Sequence, residues 1–123
     1  MTSFGTLKAD TLTHSTAGSL ATNFVVNGVA KHWMSATEPG SVGDSFNLSS
    51  TTDAGSGLHT VVLTNSMASA AHAVTTGMQD ADMACLADAN RSTTGYQITG
   101  LSRADSLSRT DGDHFSALFG DLA

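Results

Sequence analysis

Charged side chains are scarce in this chain, and the shortage falls hardest on the residues that usually clothe helices. Of 123 residues, 13% are Asp, Glu, Lys or Arg, and Glu38 is the single Glu; an ordinary soluble domain carries about 25%. Exposed helix faces are built from Lys, Glu, Gln and Arg, which lose little freedom in a helix. Here 33 Ser and Thr supply the polar surface instead. Hydroxyl and β-branched side chains suit a pleated surface half open to water, and 12 glycines provide turn positions. The composition therefore predicts an all-β protein. Ser, Thr and Gly also dominate linkers, and that reading competes only over the first 25 residues.

Apolar patterning divides the chain into short pieces separated by turn residues. Leu7, Ala9 and Thr11 alternate with polar neighbours, so Thr6 to Thr13 reads as an edge strand, followed by a loop over His14 to Ser19. Phe24-Val25-Val26 ends at Asn27-Gly28, the strongest two-residue hairpin signal, which predicts a returning strand from Val29 to Met34 carrying Trp33. Glu38-Pro39-Gly40 is a turn. Asp44 to Ser49 is a strand with Phe46 and Leu48 on one face, Asp53 to Gly57 a glycine-rich loop, and His59 to Thr64 the strongest strand of all, giving a central hairpin. Ala70 to Thr76, Met83 to Ala87, Tyr96 to Leu101 and His114 to Phe119 supply further strands; Ser66 to Ala73, though rich in Ala, is too short for a free-standing helix and reads as a loop feeding a strand. Six to eight short strands at this spacing predict a sandwich or small barrel.

The remaining composition excludes several functions. A formal charge of −6, carried almost wholly by Asp, leaves no basic stripe to neutralise phosphates, so nucleic acid is not an expected partner. No apolar stretch approaches the roughly 18 residues of a membrane helix, so membrane insertion is not expected, and Met1 to Asp10 lacks a basic head followed by an apolar run, so synthesis in a cytoplasm is. The lone Cys85, inside an apolar run, reads as a buried inert thiol. His14, His32, His59, His72 and His114 are scattered without zinc-motif spacing, and are expected as solvated or half-buried strand residues. Asp80, Asp82 and Asp88, or Asp111-Gly112-Asp113, offer oxygen ligands for Ca²⁺, but turn chemistry explains them as well. No Gly-x-Ser-x-Gly elbow or phosphate cradle occurs. Neither catalytic residues, nor a cofactor, nor a metal are expected. Phe24, Trp33, Phe46, Tyr96, Phe115 and Phe119 are expected chiefly in the core or at subunit contacts.

Several segments in order resemble a known module. Asp44-Ser45-Phe46-Asn47-Leu48-Ser49-Ser50, Thr52-Asp53-Ala54-Gly55-Ser56-Gly57, Thr60-Val61-Val62-Leu63-Thr64 and Met67-Ala68 are similar to a β-module of bacteriophage tail-fibre and related virion proteins. Lys31-His32-Trp33 matches its Trp-bearing strand, Phe115 to Gly120 its closing strand, and Gly5 to Leu12 the opening of many such fibres. The resemblance covers about residues 30 to 120. His59 and His72 depart from it, standing where the module carries Tyr.

The expectations are accordingly these. The fold is an all-β, small antiparallel β-sandwich, jelly-roll-like, with an extended N-terminal arm over 1–28 and the sandwich over 29–123. The resemblance implies a non-enzymatic virion structural protein of the tail-fibre or head-fibre type, a homotrimer attached to other virion proteins through its arm and in contact with a host-surface glycan or protein. Leu7, Ala9 and Leu12 are the expected attachment residues, because an extended segment of this kind can add to a partner's sheet edge. Trp33, first expected in the core or at a subunit contact, is the alternative candidate for ligand contact, by stacking on a sugar. The competing functions are a capsid decoration protein and a carbohydrate-binding module.

Overall fold

The computed structural model describes residues 9–16, 18–37, 41–79, 83–87, 90–102 and 108–123, with the backbone alone for His14 and 83–87. The chain opens with a small hairpin, β1 (Thr11–His14) and β2 (Gly18–Ala21), followed by the helix α1 (Thr22–Gly28). Then come β3 (His32–Thr37), β4 (Ser41–Phe46), β5 (Leu48–Gly55), β6 (Leu58–Leu63), β7 (Ala73–Met78), β8 (Met83–Ala87), β9 (Gly95–Ser102), β10 (Ser108–Arg109) and β11 (His114–Phe119).

These strands form two antiparallel sheets packed face to face, as a small all-β sandwich. The first has the order β4-β3-β11-β7. In the second, β9 pairs with β8 along one edge and with β6 along the other, and β6 pairs with β5. Leu101 pairs with both Ala84 and Arg109, so β10 continues the edge that β6 leaves. The closing strand β11 sits inside its sheet, between β3 and β7.

Between the sheets lie Met34 and Ala36 of β3, Val61 and Leu63 of β6, Tyr96 and Ile98 of β9, Leu118 of β11 and Met67 from a connecting loop. Each large apolar side chain removed from water here contributes about 1.5–3 kcal/mol. The Tyr96 hydroxyl meets Ser116 Oγ at 2.7 Å, joining the sheets by a buried hydrogen bond. Val61 and Leu63 share the inner face of β6 while Val62 points outward, as the period of two requires.

Four expectations are corrected. Phe24-Val25-Val26 and Asn27-Gly28 form α1, closed by the Val29 amide donating to the Val25 carbonyl at 3.2 Å, rather than a hairpin. Gly ends helices as readily as it turns hairpins, and an apolar run of three does not separate the two periods. Phe46 and Leu48 do not share one strand face: between them Asn47 takes φ 57°, and the chain crosses from the first sheet to the second. Asn tolerates this conformation, and its side chain fixes the corner, donating to the Lys31 carbonyl at 2.9 Å and accepting from the Asn65 amide at 2.7 Å. Of the two places expected for the aromatics, core or subunit contact, the core holds few. Tyr96 is buried, whereas Phe24, Trp33, Phe46 and Phe115 are exposed. Nor are the four histidines with described side chains solvated: His32, His59, His72 and His114 are all buried. Smaller shifts occur too, since the first strand starts at Thr11, with residues 1–8 outside the described part, and the strand after the Ala-rich loop starts at Ala73.

Candidate functional site

The outer face of the first sheet carries a contiguous aromatic patch. On β3, His32, Met34 and Ala36 point inward, so Trp33, Ser35 and Thr37 point outward. Register then sets Phe46, Trp33, Ala117 and Thr75 in one row across the four strands, with Asp44, Ser35, Phe115 and Gly77 in the next. Directly opposed residues on neighbouring strands have Cβ atoms about 5 Å apart, and diagonal ones lie within reach of aromatic rings. Trp33, Phe46 and Phe115 are therefore one patch, with exposures of 40%, 54% and 56%. Gly77 shapes it: the Phe115 ring lies where a Cβ on Gly77 would stand. Among the described residues of these two rows Asp44 is the one charge.

The second sheet presents a different surface. Thr52, Thr60 and Gln97 form a row across β5, β6 and β9, beside Ser50 and Val62. Gln97 Nε2 donates to Thr60 Oγ1 at 3.0 Å, and Asn90 Nδ2 donates to Gln97 Oε1. A depression of about 210 Å³ lies there, lined in part by Thr60, Asn90, Ser92, Thr94 and Gln97. It offers neutral hydrogen-bonding groups.

The N-terminal hairpin and α1 form a third exposed region. Thr22 ties them together, its Oγ1 donating to the Ala9 carbonyl at 2.7 Å and its amide to the Asp10 carbonyl at 2.9 Å. Leu12 and Leu20 face each other across the hairpin, both exposed, and Phe24 and Val26 of α1 are exposed as well. Of the expected attachment residues, Ala9 and Leu12 lie in this region and are exposed, while Leu7 lies outside the described residues. Lys31 Nζ donates to the carbonyls of Val26 and Val29, holding the end of α1 next to the start of β3. Trp33 stands on the outer face of β3, five residues after α1 ends, and is joined there by Phe46 and Phe115.

Two further features concern the buried histidines. His59 and His114 lie against each other with ring centroids 4.7 Å apart, and His32 packs edge-on against Tyr96 at 5.8 Å. Burial holds both His32 and His114 below the ordinary imidazole range, against the opposing pull of backbone carbonyls that favour the protonated rings. Among the described residues no group of three or more His, Cys, Asp or Glu converges as a metal would need. Asp80, Asp82, Asp88 and the Cys85 side chain lie outside the described residues. Asp111 serves a turn, accepting from the Gly57 amide at 2.5 Å.

In comparisons with known proteins the chain matches no family model, no curated protein and no solved structure. The aromatic patch was only half legible in the sequence. Trp33 stood out by type, but the outward direction of Phe46 depends on the corner at Asn47, and that of Phe115 on which face of β11 meets the other sheet.

Proposed function

We propose that this chain is a non-enzymatic structural protein of a bacteriophage particle, of the fibre type, whose sandwiches associate as a homotrimer through the Trp33–Phe46–Phe115 face. That patch is the observation that carries the reading. A large aromatic side chain presents roughly 150–250 Å², so three of them about half exposed offer on the order of 300 Å² per chain, the size of the largest apolar patch of an ordinary monomer, which is often a functional one. Large aromatics are also the side chains that dominate the centres of protein interfaces. A chain of net charge −6 repels its own copies, and the aromatic face, with Asp44 as its charge, is where two copies meet with least repulsion. The exposed apolar side chains of the N-terminal hairpin and α1 suit docking to another virion protein, with the first 28 residues as the attachment arm. The chain's place is then the virion, after synthesis in the host cytoplasm.

Light scattering on the isolated protein at micromolar concentration should give about three times 12.5 kDa; a stable monomer would count decisively against association. Deleting Met1 to Leu20 should leave the mass and circular dichroism of the remainder unchanged while abolishing incorporation into particles. A second reading rests on the exposure of Trp33, whose ring suits stacking on a sugar of a host-surface glycan. Glycan-array binding by a monomeric protein, lost in Trp33→Ser, would favour that reading over the oligomer.

A further inference from the structure

We propose that His59 and His114 form an acid-operated latch: proton uptake by this pair opens the end of the sandwich where the β5–β6 turn meets the loop preceding β11. This inference does not depend on the fibre reading.

The pair bridges the two sheets, His59 coming from β6 and His114 from β11. Their residues are 2% and 3% exposed, and the rings are tilted by 40° at a centroid distance of 4.7 Å. His114 Nδ1 lies 3.1 Å from the Gly112 carbonyl oxygen. A carbonyl only accepts, so Nδ1 carries the hydrogen and Nε2 carries a lone pair. That Nε2 is buried without a partner, as is Nδ1 of His59. Met78, Ile98 and Gly100 complete the walls together with Thr110 and Gly112. The lone pair of His114 Nε2 and an unpartnered ring nitrogen of His59 thus stand in a dry space, where a proton's charge would be poorly solvated.

The charged and titratable groups facing the pair are few. Asp111 Oδ1 lies 3.9 Å from His59 Nε2, Asp53 stands opposite His59 in the β5–β6 pairing with its Oδ1 accepting from the Gly55 amide, and Asp113 acts on His114 in favour of its protonation. The residues of β7 and β9 that line the site, Met78, Ile98 and Gly100, contribute no charge, and neither do Ser56 and Gly57 of the turn. His59 opposes protonation of His114. Burial outweighs the Gly112 carbonyl and Asp113, so His114 stays below its ordinary range.

Asp111 connects this chemistry to the backbone. The same Oδ1 that faces His59 accepts from the Gly57 amide at 2.5 Å. Gly57 has φ 63° and is wedged against the backbone of Gly100 and Thr110, where no Cβ would fit. Its carbonyl accepts from the Gly100 amide at 2.8 Å, and the Thr110 amide donates to the Gly100 carbonyl at 3.1 Å. A cationic His59 draws on Asp111 and so competes with Gly57 for it. A second proton would set two cations side by side without water. Both consequences are relieved by separating turn from loop and admitting solvent.

The direction with pH follows from linkage. A histidine held below its unfolded value of about 6.5 binds a proton more readily when exposed, so the closed form is fully favoured above that pH and loses its advantage as pH falls. Each proton taken up shifts the opening equilibrium by up to about tenfold per pH unit. Amide hydrogen exchange, corrected for the intrinsic pH dependence, should show Gly57, Gly100 and Thr110 opening at least about tenfold more at pH 5.5 than at pH 7.5, with the Met34 and Val61 amides little changed. Pair-independent protection at these three sites, flat across that range, would overturn the proposal. His114→Phe keeps a ring and removes the proton site, and should flatten the response; an undiminished response would assign it to His32 or His72 instead. Should that variant not fold, imidazole NMR on the wild-type chain decides: His114 must stay neutral below pH 6.5 until the opened form appears, and an ordinary midpoint in an unchanged fold rules the latch out.

Discussion

The two outer faces of the sandwich are made by the same rule and end up opposite in character. Both come from strands whose alternate residues point away from a shared core. On the first sheet those residues are Trp33, Phe46 and Phe115; on the second they are Ser50, Thr52, Thr60, Val62 and Gln97. A hydroxyl face satisfies itself with water and with bonds such as that of Gln97 to Thr60. An aromatic face does not, and roughly 25 cal/mol per Å² favours covering it. The lesson is that low charge was not spread evenly over this surface. The hydroxyl rows are neutral and hydrated, and the aromatic rows are largely apolar, with Asp44 as the one charge among their described residues.

The largest expected effect tests whether the faces share one core at all. Leu63→Ala, on the inner side of β6, should cost about 2–5 kcal/mol in denaturant unfolding, while outward Thr60→Ala should stay within about 0.5 kcal/mol. Equal costs would erase the distinction between inside and outside on the second sheet. Next, Trp33→Ser should weaken self-association by about 2 kcal/mol, roughly thirtyfold in Kd by sedimentation equilibrium. Thr52→Ala on the hydroxyl face should leave Kd unchanged, and a similar loss from both would mean association does not discriminate between the faces.

A glycine on each sheet sharpens the contrast further. A Cβ on Gly95 would press on the Val61 carbonyl, which is backbone and cannot step aside, so Gly95→Ala should cost about 1–3 kcal/mol. A Cβ on Gly77 would meet the end of the exposed Phe115 ring, which can swing away, so Gly77→Ala should cost less than about 1 kcal/mol in stability. Thermal unfolding of the two variants should rank them in that order. The smallest effect is a pH slope. His32, buried under the aromatic face and held below its ordinary range by desolvation, is neutral in the folded chain. Its contribution is complete above about pH 6.5 and is lost as pH falls through the window below, at no more than about 1.4 kcal/mol per pH unit. His32→Phe should reduce the slope of unfolding free energy between pH 5 and 7 by that amount or less.

Much of the strand plan was legible. Met83–Ala87 and His114–Phe119 form strands with the bounds their apolar runs suggested, and Thr60 to Leu63 lies in a strand paired on both edges. A hairpin returning into His59 to Thr64 was readable from the turn glycines, but its first arm is Leu48–Gly55 instead of Asp44 to Ser49, so Asp53 to Gly55 are strand and Asp44 to Phe46 belong to the other sheet. What escaped was set by contacts remote in sequence. Asn47 reads as one polar residue within a strand, but its side chain is held by Lys31 and Asn65, and that corner sends β5 to the other sheet. The candidate site suffered the same way, with one of its three rings singled out in advance.

The sequence by itself determined the class of this protein. Scarce charge, abundant Ser and Thr and short apolar runs between turn residues specify antiparallel β structure, because those are local preferences that each segment expresses wherever it lies. Only the tertiary structure decided which side of each strand is inside. A period of two says that Trp33 opposes His32 and Met34, but not on which side the second sheet will lie. Here it lies over His32, Met34 and Ala36, and Tyr96 reaches Ser116 across the gap. Imidazoles are thereby enclosed while three larger aromatic rings remain exposed, an outcome fixed by how the two sheets pack.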